Sequence, residues 1–194
     1  MGGMYLSNAG VFLVKTIFGL YLLAIMLRFL LQWAHADFYN PISQFVVKIT
    51  NPLLKPLRRI IPGFFGLDFA AVVLMLVIKL IELSLVQGIV GGAWVFSGLL
   101  VVALAELLSL ALDVFFFSIL IQVILSWVNP GAYNPAVSLL HSLNEPLLRP
   151  ARRIIPPIGG LDLSPLVVMV VLKLATMLLV QPLLDFGVRL LLGR

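Results

Sequence analysis

Four stretches of this chain, near residues 10–33, 68–90, 98–128 and 164–191, are apolar over enough length to cross a bilayer as helices. A spanning helix needs about 20 mostly apolar residues to cover about 30 Å of hydrocarbon. The second and third runs nearly merge, since Leu83 to Ala105 carries no charge, but Gly88, Gly91, Gly92 and Trp94 mark a short turn at a membrane surface. Composition leaves no room for a soluble domain: 62% of residues are hydrophobic and 11% charged, against about 45–50% and about 25% in soluble proteins. Residues 1–9 carry no basic side chain, so the first run is expected to be a retained span and not a cleaved signal peptide.

Displaced by 94 residues, the chain lies on itself without a gap. Trp33 falls on Trp127, Tyr39-Asn40-Pro41 on Tyr133-Asn134-Pro135, Leu67-Asp68 on Leu161-Asp162 and Lys79 on Lys173. Residues 52–68 match 146–162 at 12 of 17 positions, beyond what chance produces even in a leucine-rich chain. The duplication predicts two units, 1–94 and 95–194. Each holds two spans, an even number, so both enter the membrane in the same sense and the repeats are parallel. The fold class is therefore an all-α membrane protein of four transmembrane helices in two parallel tandem repeats.

The basic residues orient it. The 34–67 connection holds Lys48, Lys55, Arg58 and Arg59, the 129–163 connection holds Arg149, Arg152 and Arg153, and the 88–97 turn has no charge. Positive charge is retained on the cytoplasmic side. This predicts a multi-pass protein of an inner-membrane type with cytoplasmic connections and with both termini and the 88–97 turn outside, although Arg189 and Arg194 pull weakly the other way. The net charge of +5 thus points to membrane lipid and not directly to nucleic acid.

Within each connection, at 40–62 and 134–156, the apolar residues have a helical period. Ile42, Phe45, Val46 and Ile49 oppose Ser43, Gln44 and Lys48; Ala136, Leu139, Leu140 and Leu143 oppose Ser138, His141 and Ser142. Asn40 and Asn134 are placed as N-caps ahead of Pro41 and Pro135. A second short stretch follows, with Leu53, Leu54, Leu57, Ile60 and Ile61 against Lys55, Arg58 and Arg59, and with Leu147, Leu148, Ala151, Ile154 and Ile155 against Arg149, Arg152 and Arg153. Pro56 and Pro150 should kink it, and Pro62 and Pro156 should end it. Such segments are expected to lie in the interface with the apolar face among acyl chains and the basic face toward anionic headgroups. Those six basic residues either fix topology and grip lipid or form a docking surface for a partner. The positive-inside rule favours the first reading; the repeated Pro and Arg spacing supports the second, because a lipid anchor needs charge but not spacing. Asp68 and Asp162 either cap the following span or pair with an arginine; their place directly before an apolar run favours the cap.

Lys79 lies eleven residues past Asp68, about 16 Å into the span at about 1.5 Å per residue, and Lys173 has the equivalent depth. Glu82 and Asp113 are also deep. Intramembrane charges are functional candidates with partners: either interhelical pairs that hold the spans together, which opposite signs at similar depth favour, or the lining of an ion or osmolyte conduit, for which more polar lining is expected. Lys15, Glu106 and Asp185 near one interface and Arg28 near the other need no special role. Cysteine is absent, only His35 and His141 offer imidazoles, and no zinc-protease, nucleophile-elbow or P-loop signature occurs. No cofactor and no enzymatic activity are expected.

The stretch QWAHADFYNPISQFVVKITNPLLKPLRRIIPG, with its repeated NP…P-L-L-K/R-P-x-R-R-I-I-P core, resembles the YggT (YlmG) family, in its two-unit proteobacterial form. The resemblance covers nearly the whole chain. It implies links to osmotic or potassium stress tolerance, to the cell-division neighbourhood and, in plastids, to haem attachment on a b-type cytochrome and to nucleoid distribution. A membrane-embedded scaffold or assembly factor accommodates most of these roles; a conduit accommodates only the osmotic one. His35 and His141 are not repeat-equivalent, which argues against a haem-ligand role. Four helices shield every midplane charge poorly, so a homo-oligomer or a complex with another membrane protein is expected.

Overall fold

The computed structural model describes residues 2–63, 66–129, 131, 134–155 and 162–193. Tyr133, Pro156, Leu161 and Arg194, named above, lie outside them, and so does the expected stop at Pro156. The chain runs α1 (Gly2–Trp33), α2 (Pro41–Arg58), α3 (Phe69–Val90), α4 (Phe96–Val128), α5 (Pro135–Ile154), α6 (Ser164–Ala175), a π-helical turn (Thr176–Val180) and α7 (Gln181–Leu191). α1, α3, α4 and the α6–α7 rod are long and apolar enough to cross a membrane. Most of their surface is not covered by protein: Phe12, Ile17, Phe117, Ile121 and Leu178 all stand exposed. Apolar side chains in that number need hydrocarbon around them.

α1 begins eight residues before the span expected at 10, at Gly2. α3 closes at Gly91, whose φ of 69° is a left-handed cap, and the Gly92 N–H returns to the Gln87 carbonyl at 2.9 Å. The fourth span is one rod with a widened turn in it. Pro182 has no N–H to give and its ring crowds the preceding turn, so the Gln181 N–H bonds five residues back to Thr176.

The two amphipathic stretches of each connection form one helix. α2 runs straight through Pro52 and Pro56, and α5 through Pro146 and Pro150. Each proline pair is spaced by four, so the missing backbone hydrogen bonds stack on one side and the opposite side stays intact. α2 stops at Arg58, four residues ahead of Pro62, where the Ile60 and Ile61 amides both fold onto the Leu57 carbonyl. Pro62 is not its terminator.

The apolar face expected to lie among acyl chains is divided on α2. There a stripe of Ser43, Val46, Thr50 and Leu54 is buried against the bundle while Ile42, Phe45 and Leu53 face outward. On α5 the equivalent greasy face turns inward, with Leu139 and Leu143 buried. The neighbours differ: α5 lies against α4, α6 and α1, whereas α2 lies against α1 and α3, and the two helices also meet each other.

One core joins the repeats. Leu22, Ile25, Met75, Phe115, Ile119 and Leu143 belong to a single cluster drawn from both halves, and Trp33 meets Phe115 edge to face at 5.9 Å. At the far end α4 and α7 nearly touch: a Cβ at Gly98 would stand 2.9 Å from the Leu191 backbone nitrogen, and one at Gly187 would stand 3.0 Å from that of Val102. Small residues permit such approaches between membrane helices.

Candidate functional site

α2 and α5 start alike. The Asn40 Oδ1 accepts the Ile42 N–H and the Asn134 Oδ1 accepts the Val137 N–H, each at 2.9 Å. The Asn40 amide also donates to the Pro135 carbonyl at 2.7 Å, tying the heads of the two amphipathic helices together.

At their other ends, Asp68 performs both roles that the sequence left open, capping α3 and pairing with an arginine, while Asp162 pairs with an arginine and bonds the first amide of α6 from one residue before its N-cap Leu163. Asp68 accepts the Ala71 N–H on Oδ1 and binds the Arg58 guanidinium with Oδ2. Asp162 accepts the Ser164 N–H on Oδ1 at 2.9 Å and holds Arg152 Nε with Oδ2 at 2.9 Å. A carboxylate has acceptor capacity for both. The arginine ten residues upstream makes the contact, and Arg59 and Arg153 do not. Arg58 and Arg152 are therefore clamps that fasten each amphipathic helix to the next span. The clamps differ in burial: the Asp68 side chain is 5% exposed and that of Asp162 is 41% exposed. Arg152 has a second partner in Glu145 at 3.1 Å. Partial burial would raise the Asp162 carboxyl, but the Arg152 hydrogen bond, the Ser164 amide and the Arg152 charge outweigh it and hold the group below the usual carboxylate range.

Lys55, Arg59, Arg149 and Arg153 remain. All four side chains are exposed and make no ion pair or side-chain hydrogen bond among the described residues. Beside them Ile60 and Ile154, equivalent in the two repeats, are about 80% exposed. The arrangement offers free guanidinium and ammonium groups next to an apolar knob, twice.

The deep charges pair. Lys79 Nζ lies 2.9 Å from Glu82 on its own helix and 2.6 Å from Glu106 on α4. Lys173 lies 3.5 Å from Asp113, also on α4, and 4.3 Å from the centre of the Phe116 ring. α4 thus supplies one carboxylate to the repeat-equivalent lysine of each half. Sequence reasoning set Glu106 aside as interfacial, because depth counted from one end of a 33-residue helix does not say which residue of a neighbour stands alongside. In the first pair Lys79 is largely covered and Glu106 is a third exposed; the second pair is nearly half exposed, a polar spot on an otherwise apolar flank.

A second polar layer was also missed. Arg28, buried in α1, donates from Nη1 to the Val47 carbonyl, to Thr50 Oγ1 at 2.7 Å and to Asn51 Oδ1 at 2.9 Å. Its repeat equivalent Gln122 accepts from Asn144 Nδ2 at 2.7 Å and meets His141 Nδ1 at 3.0 Å, while Ser118 donates to Asn144 Oδ1 at 2.6 Å. The signal was available: the 94-residue offset sets Arg28 on Gln122 and Thr50 on Asn144, polar on polar within apolar surroundings. Each layer borders a cleft between the first span of its repeat and the amphipathic helix. The first, about 240 Å³, is lined by Arg28, Gln32, Ser43 and Arg58 with Phe38 and Val47. The second, about 580 Å³, is lined by Gln122, Ser126, Ser138, His141 and Ser142. Among the described residues no three potential metal-ligating side chains converge.

The family described as CCB3/YggT matches the chain twice, over residues 7–89 and 101–183, segments that begin 94 residues apart. An uncharacterized protein of Pseudomonas aeruginosa is 48% identical over 179 residues, covering 91% of this chain and 90% of that relative. An uncharacterized protein from the proC 3′ region of Vibrio alginolyticus is 44% identical over 89% of this chain and 94% of its own length. The uncharacterized protein YggT of Escherichia coli K12 is 39% identical over 96% of this chain and 97% of its own. No solved structure matches the chain.

Proposed function

Because the chain belongs to the CCB3/YggT family, whose similar members carry no assigned activity, we propose that it acts as a non-enzymatic scaffold or assembly factor of the bacterial cytoplasmic membrane. The observation that carries this reading is a division of charge. The intramembrane charges Lys79, Glu82, Asp113 and Lys173 are spent on one another and on Glu106, as structural pairs are. Of the six basic residues of the Pro-Arg segments, the four without partners among the described residues, Lys55, Arg59, Arg149 and Arg153, lie on or at the end of the amphipathic helices beside exposed Ile60 and Ile154. An anionic lipid surface or an acidic membrane-protein partner complements that face, and the positive-inside bias puts it in the cytoplasm with the termini outside.

The structure narrows the docking set. Arg58 and Arg152 hold the fold together, so the partner-facing residues are the other four. The charge-based reason for a homo-oligomer narrows too, since Lys79 and its carboxylates are satisfied within one chain. What remains for a second copy or another protein to cover is the half-exposed Lys173–Asp113 pair.

The competing reading is a small ion or osmolyte conduit through the same deep charges. Two variant sets separate them in a strain whose osmotic-stress phenotype depends on this protein. Lys55→Ala, Arg59→Ala, Arg149→Ala and Arg153→Ala together should abolish complementation at unchanged membrane level, and should lose the partner recovered by affinity purification from native membranes. Lys79→Met with Glu82→Gln and Glu106→Gln should complement. The reverse pattern overturns the scaffold in favour of the conduit.

A further inference from the structure

Arg28 is 7% exposed and carries a charge with no carboxylate within ion-pair distance among the described residues. All of its hydrogen bonds leave from Nη1, so the three N–H groups on Nε and Nη2 have no acceptor among the described residues. The nearest ionised neighbours are Arg58 and Asp68, and these two neutralise each other. One net positive charge is therefore held between α1 and α2 with nothing to balance it. A buried unpaired charge is costly unless something pairs with it.

Facing the same cleft, the Ser43 hydroxyl is buried and has no hydrogen-bond partner. Two orphaned polar groups, one cationic, thus converge on a space of about 240 Å³ whose wall also includes Arg58 and Gln32. At about 30 Å³ per water, that space holds about eight waters, enough for a phosphodiester. Its wall also carries the exposed side chain of Phe38 with Leu31, Ala36 and Val47. Such side chains suit acyl chains and not bulk water.

We propose that this cleft is a binding site for one anionic phospholipid, whose phosphate accepts hydrogen bonds from Arg28 Nε and Nη2 and from the Ser43 hydroxyl, with Arg58 adding charge at the rim. The second repeat lacks the site. Gln122 takes the place of Arg28 and is neutral, and both ends of its amide are already engaged by Asn144 and His141. The molecule therefore holds one such lipid and not two, independently of whether it serves as a scaffold or a conduit.

The test is native mass spectrometry of the purified full chain released from detergent micelles, titrated with phosphatidylglycerol, phosphatidylcholine or inorganic phosphate. The wild type should retain one phosphatidylglycerol in preference to phosphatidylcholine and should gain no adduct from phosphate at equal concentration. Arg28→Gln, which copies the second repeat's own solution, should weaken retention at least tenfold. Ser43→Leu keeps the charge but fills the cleft, and should do the same; circular dichroism checks that both variants are folded. Gln122→Ala should leave retention unchanged. Equal retention by wild type and folded Arg28→Gln overturns the site, as does full retention by Ser43→Leu should Arg28→Gln fail to fold. A phosphate adduct as stable as the lipid one, lost in Arg28→Gln, overturns the lipid assignment in favour of a soluble anion.

Discussion

Replacing Lys79 by methionine removes the cation from a group of three charges and keeps nearly the same side-chain volume. Glu82, whose side chain is 3% exposed, then has no ammonium within reach, and Glu106, 34% exposed, loses its partner as well. Breaking a buried pair from one side costs about 3–5 kcal/mol. Most of that belongs to Glu82, the more deeply buried of the two carboxylates. Lys79→Met should therefore lower stability by about 3–5 kcal/mol. Adding Glu82→Gln should restore most of it, and adding Glu106→Gln should change little. Glu82→Gln alone should cost less than Lys79→Met, since Lys79 keeps Glu106 at 2.6 Å. Unfolding in mixed micelles of rising dodecyl sulfate fraction, followed by circular dichroism, gives the four free energies of the cycle. Lys79→Met within about 1 kcal/mol of wild type, a shift too small for a broken buried pair, would refute the reasoning, as would a double variant no better than the single one.

The two clamps should respond unequally: Asp68→Asn should cost about 1.5–3 kcal/mol, as for a buried charged hydrogen bond, and Asp162→Asn about 0.2–1 kcal/mol, as for an exposed pair, in the same unfolding assay. The Asp162 carboxyl is held low in the folded state, so its contribution is present above the ordinary carboxylate value near pH 4 and fades as pH falls through the lower folded value; stability profiles of wild type and Asp162→Asn should converge in acid. Gly187→Val should separate α7 from α4 and cost about 1–3 kcal/mol by overpacking, whereas Gly19→Val, where nothing lies within 4 Å, should leave the midpoint nearly unchanged. The chain has no cysteine, so single cysteines placed at 59, 153 and 94 give unambiguous labelling: 59 and 153 should react only after the cytoplasmic face is opened, and 94 from outside in intact cells.

How much of this was legible beforehand depended on whether the signal lay along the chain or across it. The four spans, the asparagine caps and the polar turn at Gly91 are properties of short windows, and all were readable. The arginine clamps were half readable: the motif spacing named the aspartates and arginines, but which arginine reaches back depends on where α2 stops, and Pro62 suggested a stop four residues later than the true one. Glu106 and Arg28 were dismissed because each looks interfacial when counted from the end of its own helix.

Sequence by itself determined that this chain is a duplicated, two-plus-two-helix membrane protein with basic amphipathic connections, because hydropathy over 20 residues and self-similarity at 94 are independent of any neighbour. Only the tertiary structure decided which charges are neutralised. α4 brings carboxylates to both deep lysines, while α2 brings none to Arg28. Pairing depends on which helices adjoin and on how each is rotated, and equivalent positions in the two repeats meet different neighbours, since α2 packs on α1 and α3 whereas α5 packs on α4, α6 and α1.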